Sequence, residues 1–316
     1  MKGGITLRDL ALHLGVIAAL FAAQFLLPSY YVTSLARIMV LATLAMGYNI
    51  AFGYTGLLSL GHALFFAAGM YGAALPALHF GIGAGPGLIL GLLAGGIMAA
   101  AVGLLALRTA GVSFMIVTLM FAQAGAMTVI YFATWTRGDD GFPIPAAARR
   151  LFGMALSDDR MRYMTALVLF AVVMLACLAL VRSRFGRIMV AMRENEERSR
   201  MLGYNPYTVK LAALVISGLC AGLAGAAYAL LFGYAGASFA GIQYSILPLL
   251  YVLTGGAGTV LGPLVGTAVM FWLADIASGF TGAWLMVVGV ALVVLVLFAP
   301  RGILGWARER GAKWLP

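Results

Sequence analysis

The stretch RSRFGRIMVAMRENEERSRMLGYNPYTVK, residues 182–210, interrupts an otherwise apolar chain. It holds seven of the twenty basic residues and three of the ten acidic ones. Long apolar runs flank it, and a segment with this much charge cannot lie in hydrocarbon. The whole chain is 63% hydrophobic and 9% charged, with a mean hydropathy of +1.03, which exceeds what a soluble domain can bury. These values predict an all-α polytopic membrane protein in which residues 182–210 form a loop outside the bilayer.

The charged stretch has the pattern of a short helix. Glu194 with Arg198, and Glu196 with Arg200, are i,i+4 pairs with the acidic residue first, which is the favourable order on a helix. Gly203 follows as a helix stop. At about 100° per residue, one narrow face carries small or apolar side chains: Ile188, Met192, Ser199 and Leu202. The sequence therefore predicts an amphipathic helix on the membrane surface, with this stripe available to a partner.

Apolar runs predict about 8–10 transmembrane helices, some of them broken or re-entrant, in a single transmembrane domain that covers residues 1–316. The runs lie near residues 10–27, 32–52, 57–79, 86–107, 112–134, 163–181, 209–232, 244–256, 259–276 and 282–299.

Charge asymmetry predicts the orientation. Ten spans put both termini on one side, and fourteen of the twenty basic residues then share that side. The positive-inside rule places this side, with the loop 182–208, in the cytoplasm. In the second polar segment, 136–162, five arginines are balanced by four aspartates, so it is predicted to be an extracytoplasmic loop. Because the basic residues lie in short loops, their charge predicts topology and contact with lipid, and no contact with nucleic acid.

Two glycine-rich segments interrupt apolar runs at comparable places in the two halves of the chain. They are FGYTGLLSLGH, 52–62, and TGGAGTVLGP, 254–263. Broken helices in corresponding places are typical of a translocation path near the membrane centre. The candidate path residues are Asn49, Gly53, Gly56, Ser59, Gly61, His62, Gly255 and Gly258. The alternative is a packing role, with hydrogen bonds between helices for the polar side chains; for the small-residue seam within 87–103 we favour packing.

Motifs for chemistry in this chain are missing from the sequence. No P-loop, catalytic motif or cluster of metal-ligand type occurs, so we expect no catalytic, cofactor-binding or metal site. Asp275 and Arg37 lie inside apolar runs but near predicted helix ends, where water is close and an arginine can snorkel. No carboxylate is placed centrally, whereas ion-coupled transporters usually need one. The energy for transport is therefore expected from a partner.

Four segments in the same order resemble a known family. They are YNIAFGYTGLLSLGHALFFAAGMYGAAL (48–75), RSRFGRIMVAMRENEERSRMLGYN (182–205), GLCAGLAGAAYALLFGY (218–234) and LTGGAGTVLGPLVGTAV (253–269). They resemble the branched-chain amino acid permeases of bacterial ABC importers, and their order and the chain length are similar to the LivM-type member. The resemblance runs from about Ala36 to Arg301.

The resemblance implies a permease subunit, not an enzyme, in the bacterial inner membrane. Its implied partners are a second homologous permease, two cytoplasmic ABC ATPase subunits that bind the ATP, and a periplasmic substrate-binding protein. The loop 182–208 would contact an ATPase through the residues Arg193, Glu194, Asn195, Glu197, Arg198, Ser199 and Gly203. ABC importers often carry the pattern E-A-A-x-x-x-G there, and Arg198 and Ser199 replace its alanines.

The resemblance implies leucine, isoleucine and valine as cargo, because relatives in this family move branched-chain or other apolar amino acids. Some relatives move amides or urea, so another cargo in the same architecture is an alternative. An ion-coupled secondary transporter and a membrane-embedded enzyme are the alternatives from other classes.

Overall fold

The computed structural model describes residues 7–151, 153–298 and 301–310. The α-helices in this part of the chain are α1 (Leu7–Leu26), α2 (Ser29–Asn49), α3 (His62–Phe80), α4 (Ala84–Ala106), α5 (Val112–Tyr131), α6 (Ala133–Thr136), α7 (Asp159–Arg182), α8 (Arg184–Glu194), α9 (Glu196–Met201), α10 (Pro206–Phe232), α11 (Gln243–Gly255), α12 (Gly262–Phe280), α13 (Trp284–Phe298) and α14 (Gly302–Arg310). A π-helix (Ile50–Tyr54) extends α2, and 3₁₀ turns occupy Gly138–Asp140 and Ala237–Ala240. The short strands are β1 (Phe142–Pro143), β2 (Arg150–Leu151), β3 (Met154–Ala155) and β4 (Tyr234–Ala235).

Eight of the helices are long and apolar enough to cross a membrane, which confirms the predicted polytopic all-α fold. They are α1, α2 with its π-helical extension, α3, α4, α5, α7, α10 and α12. The apolar runs predicted near 244–256 and 282–299 form α11 and α13, with 13 and 15 residues. At about 1.5 Å per residue these helices are roughly 20 and 23 Å long, short of the hydrocarbon thickness of about 30 Å.

The polar segments gather at two opposite ends of the helical bundle. At one end, β1 pairs with β4, and the hydroxyl of Tyr30 donates to Asp275 over 2.6 Å. We call this the hairpin end, after the antiparallel pair β2–β3. At the other end, which we call the α8 end, the hydroxyl of Tyr207 donates to the carbonyl of Leu104 over 3.0 Å. The start of α1 and the helix α14 also lie at the α8 end.

Helix α10 lies at the centre of the bundle and packs against α2, α3 and α4. Its contact with α4 depends on glycine, because a Cβ on Gly95 would lie 2.5 Å from the carbonyl oxygen of Gly218 and from the Cα of Gly222. A Cβ on Gly91 would lie 2.5 Å from the carbonyl oxygen of Gly69. Close approach of backbones at small residues is the usual way membrane helices associate. The packing role predicted for the seam within 87–103 is confirmed.

A buried ion pair joins the first helix to the bundle at the α8 end. Arg182, the last residue of α7, lies 2.6 Å from the carboxylate of Asp9 in α1, whose side chain is 2% exposed. The Nδ1–H of His13 donates to the carbonyl of Asp9 over 2.6 Å. Removing one partner of a buried pair leaves an uncompensated charge, at a cost of about 3–5 kcal/mol. The pair therefore fixes the position of α1 against α7.

The segment predicted as the loop 136–162 folds back onto the hairpin end of α10. Arg149 donates from Nε to the carbonyl of Leu230 and from Nη2 to that of Leu231, both over 2.8 Å. Burial lowers the pKa of the Arg149 guanidinium below its usual range. The Arg149 guanidinium thus pairs two C-terminal carbonyls of α10 with a cation.

The polar segment ends earlier than expected, because Asp158 caps α7 and the helix begins at Asp159.

Candidate functional site

The charged segment forms two helices, so the prediction of one continuous helix is wrong. Asn195 separates α8 from α9 with an extended backbone (φ −158°, ψ 103°). Its side-chain oxygen accepts from the N–H of Arg198 over 2.8 Å, as an N-cap of α9. Glu194 and Arg198 therefore lie on different helices, and no ion pair joins them. The break at Asn195 arises because an asparagine competes well for a helix start and poorly for a helix interior.

The second predicted pair exists and belongs to a larger network. Glu196 lies 3.8 Å from Arg200 and 2.5 Å from Lys210 near the start of α10. Exposed pairs of this kind contribute only about 0.2–1 kcal/mol each. Their effect here is to orient α9 relative to the transmembrane helix α10.

Gly203 ends α9 as predicted. Its φ of +89° is in the left-handed region, and its N–H donates to the carbonyl of Arg200 over 3.0 Å. The N–H of Tyr204 donates to the carbonyl of Ser199 over 3.2 Å. These two bonds form a Schellman motif, in which glycine carries no conformational penalty.

The predicted narrow stripe of the charged segment does not form one exposed face. Met192 and Ser199 are buried within the chain, whereas Leu202 is 71% exposed, so Leu202 was wrongly assigned to their face. The reason is the break at Asn195 and the end of α9, which remove Leu202 from the helical register. The exposed apolar side chains at this position are instead Met201 and Leu202, with Tyr204 beside them.

The two glycine-rich interruptions meet at the α8 end. After α2 the chain forms the π-helix and then runs without helix from residue 55 to residue 61, and α11 and α12 are separated by residues 256–261. The side-chain amide of Asn49 joins them: its Nδ2 donates to the carbonyl of Thr259 over 2.8 Å, and its Oδ1 accepts from the N–H of Gly258 over 2.9 Å. We call this contact between residues 49–61 and 255–262 the glycine joint.

The glycines of the joint leave room for these bonds. A Cβ on Gly53 would meet the Oδ1 of Asn49 and lie 2.6 Å from the N–H nitrogen of Gly258. A Cβ on Gly255 would meet the carbonyl of Gly262. Both positions therefore require glycine because another part of the joint fills the space, and not because the backbone turns there.

Polar side chains from other helices pair with the backbone that follows the π-helix, in the non-helical segment and in the first turn of α3. The N–H of Leu60 donates to the hydroxyl of Thr118 over 3.1 Å, and the N–H of Ala63 donates to that of Ser245 over 3.0 Å. Backbone groups freed from a helix need such partners inside a membrane. No sequence pattern indicated Thr118 and Ser245, since single hydroxyl residues are common in apolar runs.

His62 and Ser59 also act within the protein. The Nε2 of His62 and the hydroxyl of Ser217 share a hydrogen bond of 2.7 Å, and the hydroxyl of Ser59 accepts from the N–H of Gly61 over 3.1 Å. The histidine is fully buried. These contacts agree with the packing alternative, in which the polar residues bond between helices.

The candidate path residues differ in exposure. Six of them are buried: Asn49, Gly53, Ser59, Gly61, His62 and Gly255. Gly258 is half-buried and Gly56 is exposed. As path-lining residues all eight remain predictions; what the structure brings together is Asn49, Gly53 and Gly258.

Arg193 links the charged segment to the glycine joint. From the last turn of α8 its guanidinium donates to the carbonyl of Gly53 in the π-helix. A Cβ on Gly258 would lie 3.2 Å from the Nη1 of Arg193, and one on Gly56 would lie 3.2 Å from its Cγ. One residue predicted for the loop thus touches three residues predicted for the path, a proximity that no sequence pattern indicated.

An open cleft of about 970 Å³ lies beside this contact at the α8 end. It is lined by residues 56–58, 107–112 and 203–207, and by the side chains of the Glu196 network. The lining joins the glycine joint to α9 through a surface that carries both charges and exposed backbone. The sequence pointed to the parts of this lining separately and not to their common cleft.

The geometry defines a helical membrane protein with a broken-helix joint and two external helices, α8 and α9, attached to it. Similarity to a known protein family assigns its class. The family model described as the permease component of the branched-chain amino acid transport system matches residues 30–298. The chain belongs to this family of ABC transport permeases.

Among curated relatives, the chain is similar to the high-affinity branched-chain amino acid transport permease LivM of Escherichia coli, with 28% identity over 300 residues, 86% of this chain and 69% of the relative. LivM of Salmonella typhimurium is 27% identical over 335 residues, 97% of this chain and 77% of the relative. The autoinducer 2 import permease LsrC of Photorhabdus luminescens is 29% identical over 134 residues, 39% of each chain. No solved structure matches the chain.

Membership of the family has direct consequences. The chain is a multi-pass membrane protein and the permease component of an ABC importer, a component that performs no catalysis and carries no cofactor. A permease of this kind works with ATPase and substrate-binding partners. The predicted family and the non-enzymatic role are confirmed.

The bonds of Asn49 predict a large effect of its removal on stability. Asn49→Ala leaves the N–H of Gly258 and the carbonyl of Thr259 without their partner, at about 1–3 kcal/mol for each group. We expect the free energy of unfolding, measured by denaturant titration in mild detergent, to fall by about 2–6 kcal/mol. The control Thr43→Val on the same helix removes only a local bond to Met39 and should cost under about 1 kcal/mol. Equal losses in the two variants would contradict the role of the joint.

Proposed function

We propose that this chain is one of two related permease subunits of an importer that moves leucine, isoleucine and valine across a bacterial cytoplasmic membrane. ATP is bound and hydrolysed by two cytoplasmic ATPase subunits, and a periplasmic binding protein delivers the cargo. The observation that supports the transport mechanism most directly is the contact of Arg193 with Gly53, which connects the loop helices to the glycine joint. The match of both LivM relatives over most of the chain supports the cargo.

In the proposed orientation the α8 end faces the cytoplasm, with both termini and the loop 182–208. The hairpin end, with residues 136–162, faces the periplasm. Supporting this, the α8 end carries most of the basic residues, which favour the cytoplasmic side. The start of α1 and the helix α14 lie at the same end as α8, as an even number of crossings requires.

The proposed coupling starts at α8 and α9, with Arg193, Glu194, Asn195, Glu197, Arg198, Ser199 and Gly203 as the coupling loop. Closure of the ATPases on ATP moves these helices relative to the membrane. Arg193 transmits the movement to the π-helix and Gly258, and so to α2, α11 and α12. The permease subunits then alternate between outward and inward states around a path at their interface.

The surface proposed to contact the ATPase shares only Leu202 with the stripe expected from periodicity. Met201 is 82% exposed and Leu202 is 71% exposed, next to the cleft and the charged side chains of Glu196 and Arg200. Exposed apolar side chains rimmed by charges mark a protein interface more often than isolated surface residues do. Ser199 lies beneath this surface, where its hydroxyl donates to the carbonyl of Asn195 over 2.9 Å.

Another cargo is the main alternative, since the chain is also similar over 134 residues to a permease named for autoinducer 2 import. Urea and amides belong to the same alternative. An ion-coupled transporter is disfavoured, because such transporters usually need a carboxylate near the middle of the membrane. In the described apolar spans, the acidic residues lie in the first turns of α1 and α7 or, as Asp275 does, near the end of α12.

Reconstituted vesicles test the function. The vesicles contain the partner permease and the ATPases, and leucine-loaded binding protein is added on the opposite side of the membrane from the ATPases. Uptake of radiolabelled leucine should then require ATP on the side that carries the ATPases. It should continue when proton and sodium gradients are collapsed by ionophores. Leucine uptake by this chain alone, driven by an ion gradient, would refute the proposal, and ATP-dependent uptake of urea without leucine uptake would refute the cargo.

Cysteine cross-linking tests the orientation and the contact surface. Because Leu202 is exposed beside the cleft, Leu202→Cys should cross-link to an ATPase subunit in the assembled importer. Met154→Cys, exposed at the hairpin end, should not, and Ser199→Cys should react weakly because it is buried. Trapping of the ATPase by the cysteine at position 154 would contradict the orientation. Trapping by the cysteine at position 199 in preference to that at 202 would contradict the contact surface. The readout is a shifted band on a denaturing gel.

A further inference from the structure

Arg37 is the one exposed side chain in the most buried stretch of the bundle. From Val32 to Ala51 every other residue of α2 and its extension is buried or half-buried. Arg37 is the ninth residue of α2, so it lies about 12 Å along the helix axis from Ser29. A charge at this depth is costly and needs a polar neighbour or a path to water.

An aromatic cluster lies next to Arg37. The guanidinium carbon is 5.2 Å from the ring centre of Phe232, at the end of α10. From Phe232 the rings continue through Tyr228 at 4.8 Å to Phe239 at 5.0 Å, and then to Tyr244 at 4.9 Å. Tyr244 stacks on Phe66 at 5.6 Å. Tyr228, Phe232 and Tyr244 are only half-buried, so the cluster presents aromatic surface as well as a cation.

The neighbouring arginines are occupied, whereas Arg37 is not. Arg149 is bonded to the two carbonyls at the end of α10. Arg162, 5.9 Å from the ring of Phe232, lies 3.1 Å from Asp159 and donates to the carbonyl of Ser157 over 2.9 Å. Within the described residues, neither a hydrogen bond nor an ion pair engages the guanidinium of Arg37. Its five N–H donors are therefore available to an anion.

We propose that Arg37 binds the carboxylate of the cargo on its passage, while the aromatic cluster contacts the apolar side chain of the cargo. This inference rests on the proposed import function and specifies its substrate class: a small carboxylic acid with an apolar side chain, as in an α-amino acid. A guanidinium fits a carboxylate with two parallel hydrogen bonds, which a neutral amide does not reproduce. The site disfavours urea and other cargo without a carboxylate.

The phosphate of a lipid headgroup is the other anion that a guanidinium in a membrane protein meets, because long basic side chains reach toward the interface. Arg37 lies about 12 Å along the helix axis from the start of α2, away from the helix end where headgroup phosphates lie, and this position favours the cargo. Binding measured without phosphate around the protein distinguishes the two sources of the anion.

The test is binding of radiolabelled leucine to the complete importer without binding protein, in a phosphate-free maltoside detergent, with leucinamide as the ligand that lacks the carboxylate. The wild type should bind leucine at least about tenfold more tightly than leucinamide, since a hydrogen bond to a charged group corresponds to roughly 10- to 100-fold in affinity. Arg37→Gln should weaken leucine binding by at least about tenfold and abolish the preference, and Arg37→Lys should retain part of it. The control Arg160→Gln removes an exposed charge at the same end and should bind as the wild type does.

The same variants are then compared in ATP-driven leucine uptake. The inference predicts that Arg37→Gln lowers uptake while ATP hydrolysis stimulated by the loaded binding protein continues. Leucine binding equal in wild type, Arg37→Gln and Arg37→Lys would overturn it, and so would a wild type that does not distinguish leucinamide. An Arg37→Gln defect confined to phospholipid vesicles, absent in the detergent, would assign Arg37 to lipid phosphate instead. If wild-type vesicles import no leucine with ATP, the proposed function itself fails.

Discussion

The bundle depends on one requirement: backbone groups outside a helix need hydrogen-bond partners within the membrane. In the glycine joint, the side-chain amide of Asn49 supplies these partners. One donated and one accepted bond hold Thr259 and Gly258 against α2. Gly53 leaves the space in which the amide and the backbone of Gly258 meet. Two interruptions separated by about two hundred residues thus form one structural unit.

This unit contrasts with the region around α10. There, α3, α4 and α10 approach through glycines whose backbones are in contact, so small displacements would require repacking of several helices. The glycine joint is built from hydrogen bonds to non-helical backbone and is held from outside by Arg193. In the proposed mechanism, a movement of α8 acts on the joint through Arg193.

Much of the fold could be predicted from composition and hydropathy: the membrane class, most of the long helices and the external charged segment. Gly203 as a helix stop could also be predicted from residue type, because ending the helix requires a left-handed backbone conformation that glycine adopts without penalty. The break at Asn195 was missed, since periodicity does not reveal when an N-cap outweighs a continuous helix. The contact of Arg193 with Gly53 and the ring beside Arg37 join residues far apart in the sequence, and a single sequence carries no signal of such proximity.

The central claim is that Arg193 transmits the movement of the ATPases to the glycine joint. The most direct measurement is the number of leucine molecules imported per ATP hydrolysed, in vesicles containing the complete importer with Arg193→Gln. The control is Arg187→Gln on the same helix, whose side chain, within the described part of the chain, bonds only to the carbonyl of Arg182 five residues earlier. We predict that Arg193→Gln hydrolyses ATP while its import per ATP falls severalfold, and that Arg187→Gln retains the wild-type ratio. An unchanged ratio with Arg193→Gln would contradict the account.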